Sequence, residues 1–170
     1  MTTAPDCFIP IDLHTTPAER LAILRKLIDD AHARGVLDTI ADAIARHTTT
    51  QRERATVALD LVQRMGFVPD PDGREVFQDV LCTVLAGGDC EDLAAALVTL
   101  LEALGVPARL VWFDQPGALN HVTTVANIDG RDEWAEASIQ GAAHGENPYA
   151  AATRLDSEKH IRRVTPPATT

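Results

Sequence analysis

The chain has 170 residues, of which 45% are hydrophobic and 4% aromatic, and it carries a formal net charge of −10 with a pI near 4.9. That length suits one domain whose core is mostly Leu, Val, Ile and Ala. The acidic balance repels phosphate backbones, so we expect no nucleic-acid partner. No apolar run approaches the ~18 residues of a membrane span, and the N-terminus lacks a basic stretch followed by an apolar one. We therefore expect a cytoplasmic protein without a membrane segment or secretory signal.

The chain contains three cysteines, Cys7, Cys82 and Cys90. An odd and sparse count is not typical of a disulfide framework, so the sequence predicts free thiols in a reducing compartment. We expect Cys82 to pack in the core and Cys7 to lie in an irregular terminus. No CxxC pair is present, which argues against structural zinc.

In chain order, residues 1–15 show no periodicity and are expected to be irregular. A helix is predicted from Pro17 to a stop near Gly35, because Thr16 and Glu19 can form a capping box around a proline at the first helical position. A second helix is predicted at about 38–47. A third, from Thr50 to Gly66, has an apolar stripe made of Val57, Ala58, Leu61, Val62 and Met65.

A proline and glycine turn at 69–73 precedes the segment 74–85, whose apolar residues have helical spacing. Gly87 and Gly88 break that segment. The next helix, predicted at 90–104, has the clearest pattern, one broad apolar stripe made of Leu93, Ala96, Leu97, Leu100, Leu101 and Leu104. A central, buried helix would hold Cys90 on a rigid element.

After Gly105 the period changes to that of strands, predicted at 109–113, 121–128 and 133–139. Asp129-Gly130 is the clearest hairpin turn in the chain. Residues 141–150 are expected to form a loop, 160–164 could add one more strand, and 165–170 look like a frayed tail. Helices followed by an antiparallel sheet indicate the α+β class.

Cys90, on the first turn of its helix, is the candidate nucleophile, since unpaired backbone N–H groups there favour a thiolate. His121, 31 residues later, opens a strand and is the candidate base. Glu136 lies one hairpin away and is the candidate acid that orients the histidine. Asp132 and Glu133 are competing acids that we expect to be solvated.

The backbone N–H of Cys90 would be one oxyanion donor, and Gln78 is a candidate for a second. Asp89 is a good N-cap, so backbone donors are expected to occupy its carboxylate. Because Glu91 and Asp92 also crowd the thiol and raise its pKa, the thiolate should depend on pairing with protonated His121.

Two further residues are candidates for substrate contact. Trp134 would be core or cleft wall, and His144 lies in a loop that could shape a cleft or could simply be solvated. Asp89, Cys90 and His121 form too thin a ligand set for zinc, and no loop has the spaced oxygen ligands of calcium. We expect no metal and no other cofactor.

Several of these motifs together resemble the transglutaminase-like superfamily. The segment 88–94 (GDCEDLA) resembles its GxCxD motif, and a leucine-rich helix and LGVPAR at 104–109 follow, as in that family. Asn120-His121-Val122 resembles its histidine motif, and the segment 134–138 (WAEAS) its tryptophan-plus-acid motif. The family usually has aspartate where this chain has Glu136. The acidic and glutamine-containing segment 72–79 is similar to the bacterial and phage-type branch.

The resemblance covers roughly residues 66–150 and implies a papain-like fold with a catalytic cysteine, histidine and acid. Together with the length of the chain, it predicts a single domain with a helical part at 1–65, a catalytic core at 66–164 and a tail at 165–170. The family includes crosslinking enzymes, proteases, deamidases, peptide deglycosylases and inactive members, and a shared fold does not decide between them.

Three functions are therefore compatible with the sequence. The first is cysteine-dependent acyl transfer or hydrolysis on an amide or peptide carbonyl, with a peptide, protein or small-molecule acyl donor as partner. The second is a non-catalytic binding or assembly module. The third is a biosynthetic enzyme that acts on a small-molecule amide or thioester.

Overall fold

The structure is a computed structural model that describes residues 7–12, 14–71, 74–113 and 121–155. Helices precede an antiparallel sheet, which confirms the predicted α+β class. The elements are β1 (Phe8–Ile11), α1 (Pro17–Ala33), α2 (Asp38–His47), α3 (Gln51–Gln63), β2 (Glu75–Gln78), α4 (Val80–Ala86), α5 (Cys90–Ala103), β3 (Ala108–Phe113), β4 (His121–Ile128) and β5 (Arg131–Ala135). β1 pairs with β2, and β3, β4 and β5 form a second antiparallel sheet in that order.

Helix α5 lies at the centre of the fold. Every residue from 94 to 101 is at most 1% exposed, so the helix is buried on all sides. It packs against α1 to α4 and against β3 and β4. This confirms the predicted central helix. Because so many elements pack against α5, the position of its first residue, Cys90, is fixed by the core.

The local helix signals at the N-terminal side are confirmed. Thr16 and Glu19 form the predicted capping box, and Thr50 and Glu53 form a second one at the start of α3. The predicted apolar stripe of α3 is wrong at one position, because Val57 is 42% exposed and does not face the core.

The predicted helix at 74–85 is wrong in its first half, which is the strand β2. Residues 8–11, expected to be irregular, form the strand β1 that pairs with it. Asp79 then starts a new helix, since its carboxylate accepts a hydrogen bond from the Leu81 N–H at 3.0 Å. The pairing of β1 with β2 joins segments more than 60 residues apart, so no local pattern reveals it.

The hairpin between β4 and β5 is confirmed, but β5 begins and ends earlier than predicted. Asp129 and Gly130 have φ values of 52° and 81°, the left-handed conformation of a tight hairpin turn. Pairing therefore resumes at once, with Ile128 opposite Arg131. Residues 148–150, expected in a loop, begin a helical stretch that runs to residue 155. The predicted strand at 160–164 and the tail at 165–170 lie outside the described residues.

Cys7 and Cys82 form a disulfide bond, so the prediction of free thiols at these two positions is wrong. The bond ties the residue before β1 to helix α4. Cys90 is the free cysteine. Disulfides persist mainly in oxidising compartments, so this bond argues against the cytoplasmic location, which stays a prediction. Within the described ranges, no helix has the length and apolar character needed to cross a bilayer.

Candidate active site

The two glycines before Cys90 are required by close backbone contacts. A Cβ on Gly87 would lie 2.6 Å from the Gly66 carbonyl oxygen, and a Cβ on Gly88 would lie 2.5 Å from the Cβ of Asp92. The Gly88 carbonyl accepts a hydrogen bond from the Val68 N–H at 2.9 Å. These contacts hold the backbone in place just before α5. Cys90 is the first residue of the helix, and Asp89 is its N-cap residue.

The thiol of Cys90 is partly buried and donates a hydrogen bond to Glu91 Oε2 at 2.8 Å. Burial raises the pKa of this thiol, and the charge and the hydrogen bond of Glu91 raise it further. The backbone N–H of Val122 opposes this rise, because it donates a hydrogen bond to the sulfur. Val122 directly follows His121, so the sulfur lies at the start of β4.

His121 and Glu136 meet across the β4–β5 hairpin. Glu136 Oε2 lies 2.6 Å from His121 Nε2, and its other carboxylate oxygen accepts hydrogen bonds from Ser138 N at 2.8 Å and Ser138 Oγ at 2.7 Å. Glu136 is 1% exposed, and burial works to raise its pKa. The donors on His121 and Ser138 outweigh burial and lower the pKa, so Glu136 is a carboxylate and His121 Nε2 carries the proton.

This hydrogen bond determines which ring nitrogen of His121 can act on a substrate. With Nε2–H donated to Glu136, a neutral imidazole has its free lone pair on Nδ1. Over the part of the chain that the structure describes, no hydrogen bond joins the Cys90 thiol to His121; the thiol instead contacts Glu91. The Cys90 sulfur, on α5, therefore lies beside the start of β4, where His121 is located, but the thiol and the imidazole are not paired in this state.

Three acidic residues lie at the start of α5, and two of them, Asp89 and Glu91, have side chains beside the thiol. The side-chain ligand atoms of Asp89, Cys90 and Glu91 all lie within 4.8 Å of one another. Burial raises the pKa of Asp89 and of Glu91, and the Glu91 charge adds to the effect on Asp89. Burial, together with the charge of Asp89, also raises the pKa of Asp92 to about 7. Asp89 and Asp92 therefore retain protons that the same groups would lose in water, and the hydrogen bonds from Cys90 and Asp89 oppose the rise in the pKa of Glu91.

Comparison with known proteins identifies the family. The model of the transglutaminase-like superfamily matches residues 38–146, which is more than half of the chain. The chain belongs to the transglutaminase-like superfamily. The match begins at Asp38, so it includes α2 and α3 and extends further towards the N-terminus than the resemblance found from residue 66 onward.

Two solved structures resemble this superfamily member. One is a candidate protease from Parabacteroides distasonis, with 23% identity, a TM-score of 0.54, and coverage of 73% of this chain and 27% of that chain. The other, a TGase, has 14% identity, a TM-score of 0.45, and coverage of 84% and 39%, respectively. The first likeness supports the fold alone. The chain spans less than half the length of either protein. No curated protein matches the sequence.

The structure places Gln78 and Asp89 differently from expectation. Gln78 Nε2 donates to Asp92 Oδ2 at 2.9 Å, and the Gln78 N–H donates to Asp92 Oδ1 at 2.8 Å, so this side chain supports the start of α5. Asp89 makes no capping hydrogen bond, and its buried Oδ1 has no partner. The expectation that backbone donors occupy the Asp89 carboxylate is therefore wrong for Oδ1, whereas the backbone N–H of Asp92 still interacts with the carboxylate and opposes the rise in its pKa.

Trp134 and His144 are held by contacts with β4, α3 and the loop after β5. Trp134 is half-buried on β5, opposite Val125, and its carbonyl accepts the Gly145 N–H at 2.8 Å. His144 Nε2 lies 3.0 Å from the Ala55 carbonyl of α3, and burial lowers its pKa. Their contact with substrate stays a prediction. Of the competing acids, Asp132 is exposed as expected, whereas Glu133 is partly buried in an ion pair with Arg52.

The sequence pattern did not identify Gln63, whose side chain holds the backbone of the candidate acid Glu136. Gln63, at the end of α3, is 9% exposed and donates from Nε2 to the Glu136 carbonyl at 2.8 Å and the Ala142 carbonyl at 2.9 Å. Its Oε1 accepts the Gly141 N–H at 3.1 Å. The available signal was a glutamine beside an apolar helical stripe, which by itself also fits a solvated surface position.

Proposed function

We propose that the chain is a cysteine-dependent acyl-transfer or hydrolytic enzyme that acts on an amide or peptide carbonyl. Cys90 is the nucleophile, His121 the acid and base, and Glu136 the group that orients the imidazole. The single observation that carries this proposal is the His121–Glu136 hydrogen bond. It fixes the tautomer whose Nδ1 can accept a thiol proton, beside a strand start that also contacts the Cys90 sulfur.

The reaction follows from these positions. The thiol proton moves to His121 Nδ1, and the thiolate forms a bond to the carbonyl carbon. The backbone N–H of Cys90, on the first turn of α5, is one donor for the oxyanion. The C–N bond then breaks as the imidazolium gives its proton to the leaving amine or ammonia, which leaves a thioester on Cys90.

Release of the acyl group reverses the proton transfers. Water or an acceptor amine gives a proton to His121 Nδ1 and attacks the thioester carbon. The C–S bond breaks, and the imidazolium returns its proton to the sulfur. Glu136 remains ionised throughout and stabilises the charged imidazole, because burial strengthens the attraction between the two charges.

Mass spectrometry of the intact protein tests this proposal. The protein is incubated with glutamine peptides, an added amine and a panel of small amides and thioesters. We expect a covalent acyl adduct on Cys90, which is the free thiol, and none on Cys90→Ala. Cys90→Ala and His121→Ala should each lower turnover at least ~10³-fold. Full turnover by Cys90→Ala would show that the nucleophile is assigned wrongly.

One observation favours a second function, a non-catalytic binding module. The Cys90 thiol contacts Glu91 instead of His121, and its pKa is raised. A module that had lost catalysis would tolerate such an arrangement. It predicts that no member of the panel forms an adduct or turns over, and that peptides which bind do so equally well to wild type and Cys90→Ala.

A further inference from the structure

We propose that Glu91 is a positioning residue that holds the Cys90 thiol in a resting state, away from His121, and that an acyl donor must displace this hydrogen bond before the nucleophile forms. This inference rests on the proposed function, because it assigns a regulatory contact to the same thiol. It adds a residue that the catalytic triad does not include.

The first support is the geometry of the contact. The S–H group of Cys90 donates to Glu91 Oε2 at 2.8 Å, and within the described residues it makes no hydrogen bond to His121. A thiol has a single proton, so it cannot donate to Glu91 and to His121 Nδ1 at the same time. While the contact to Glu91 lasts, transfer of the proton to His121 is blocked.

The second support is the unusual environment of Glu91. It is 6% exposed, and within the described ranges it forms no ion pair with arginine, lysine or histidine. Burying a carboxylate without a cation is costly, so such a residue is more often kept for function than for stability. Its place in the first turn of α5 recovers part of this cost through the helix dipole.

The charged groups around Glu91 explain why no cationic side chain pairs with its carboxylate and frees the thiol. Glu75, on β2, lies beside it, but the nearby Arg20 guanidinium of α1 is already paired with Glu75 at 2.5 Å. Asp89 is adjacent, Asp70 adds negative charge, and Asp92 is held by Gln78. His121, on β4, is engaged with Glu136. Glu75 and Asp89 therefore add acidic groups beside Glu91, and the two nearby cationic or basic side chains, Arg20 and His121, are paired with other carboxylates, so the surroundings favour a protonated thiol.

The test measures the rate at which iodoacetamide alkylates Cys90 between pH 5 and 10 in the full-length protein. Cys7 and Cys82 are bonded to each other, so the signal reports on Cys90. Glu91→Gln keeps the shape of the side chain and removes its charge. We expect alkylation at pH 7 to be at least tenfold faster than in wild type, with the midpoint of the pH profile at least one unit lower.

The matched control is Glu102→Gln, at the opposite end of α5, which changes the net charge equally. It should alkylate like wild type. If Glu91→Gln also retains the wild-type rate and midpoint, the proposal is overturned. A residue that only stabilised the helix would lower the melting temperature without moving this pH profile.

A second measurement needs no variant, in case Glu91→Gln does not fold. Thiolate absorbance at about 240 nm should appear in the wild-type protein only above the ordinary thiol pKa of about 8.5. Thiolate already present at pH 7 would contradict the proposed resting state.

The double variant Glu91→Gln/His121→Ala separates this inference from the proposed function. If His121 takes the released proton, most of the alkylation gain is lost in the double variant. If the gain persists in full, Glu91 still restrains the thiol, but the pairing of Cys90 with His121 fails.

Discussion

Glu136 accepts a hydrogen bond from His121 across the β4–β5 hairpin, at 2.6 Å and with the carboxylate 1% exposed. The hairpin turn at 129–130 sets the register of the two strands, and Ser138 occupies the second carboxylate oxygen. The imidazole is thus held by an acid that is itself fixed at both oxygens. Such support orients a catalytic side chain more firmly than a single contact would.

Replacement of Glu136 by glutamine should therefore lower turnover by ~10²- to 10⁴-fold. A glutamine amide can donate to Nε2, which moves the imidazole proton to Nδ1 and removes the lone pair that accepts the thiol proton. Steady-state kinetics on the substrate found by the adduct screen would check this. Glu133→Gln, on β5 just before Glu136, is the control. Equal rates for both variants would mean that Glu136 does not orient His121.

The parts of the fold with local signals were predictable. The helix 38–47 and the strand 121–128 have the predicted bounds, because the apolar period and the Asp129-Gly130 turn act within a few residues. β1 was missed, since a four-residue strand becomes one only through pairing with β2. The disulfide between Cys7 and Cys82 was missed for the same reason, as the two residues are 75 positions apart.

The candidate site also has residues that the sequence predicted and contacts that it could not predict. The motifs around Cys90, His121 and Glu136 predicted these three as the candidate site residues, and the hairpin brings His121 beside Glu136. The hydrogen bond from Cys90 to Glu91 could not be predicted, because the sequence does not show which side-chain rotamers the packing allows. Gln63 was missed because its three partners lie more than 70 residues away.

Gln63→Leu should lower both stability and turnover. It leaves the buried carbonyls of Glu136 and Ala142 without donors, each at a cost of about 1–3 kcal/mol. Loosening the backbone of Glu136 should lower kcat with little change in KM, measured well below the melting temperature. Gln140→Leu, at an exposed position, is the control. If the two variants match in Tm and kcat, Gln63 has no positioning role.

The acidic cluster at the start of α5 should make stability fall as pH rises. Burial raises the pKa of Asp92 to about 7 and also raises that of Asp89, against unfolded values of about 3.9. Between pH 4 and 8 these groups bind more protons in the folded state than in the unfolded state. The free energy of unfolding therefore decreases with pH through this window.

Thermal denaturation from pH 5 to 9 would check this dependence. Asp89→Asn removes one buried acid, so its melting temperature should exceed that of wild type at pH 8 and vary less with pH. A gain of 1 kcal/mol corresponds to about 2–4 °C in a chain of this size. Asp60→Asn, an exposed change of equal charge, should keep the wild-type slope. A wild-type Tm that rises between pH 5 and 8 would contradict the argument.

The disulfide should contribute measurably to stability, because it ties β1 to α4 across 75 residues of chain. Closing a loop of that length restricts the unfolded chain and is typically worth about 2–4 kcal/mol. Reduction should therefore lower the Tm of wild type, and Cys7→Ser/Cys82→Ser should show the lowered Tm without reductant and no further loss with it. Alkylation in denaturant without reductant should modify Cys90 alone in the wild-type protein. Modification of all three cysteines under those conditions would show that the bond does not form.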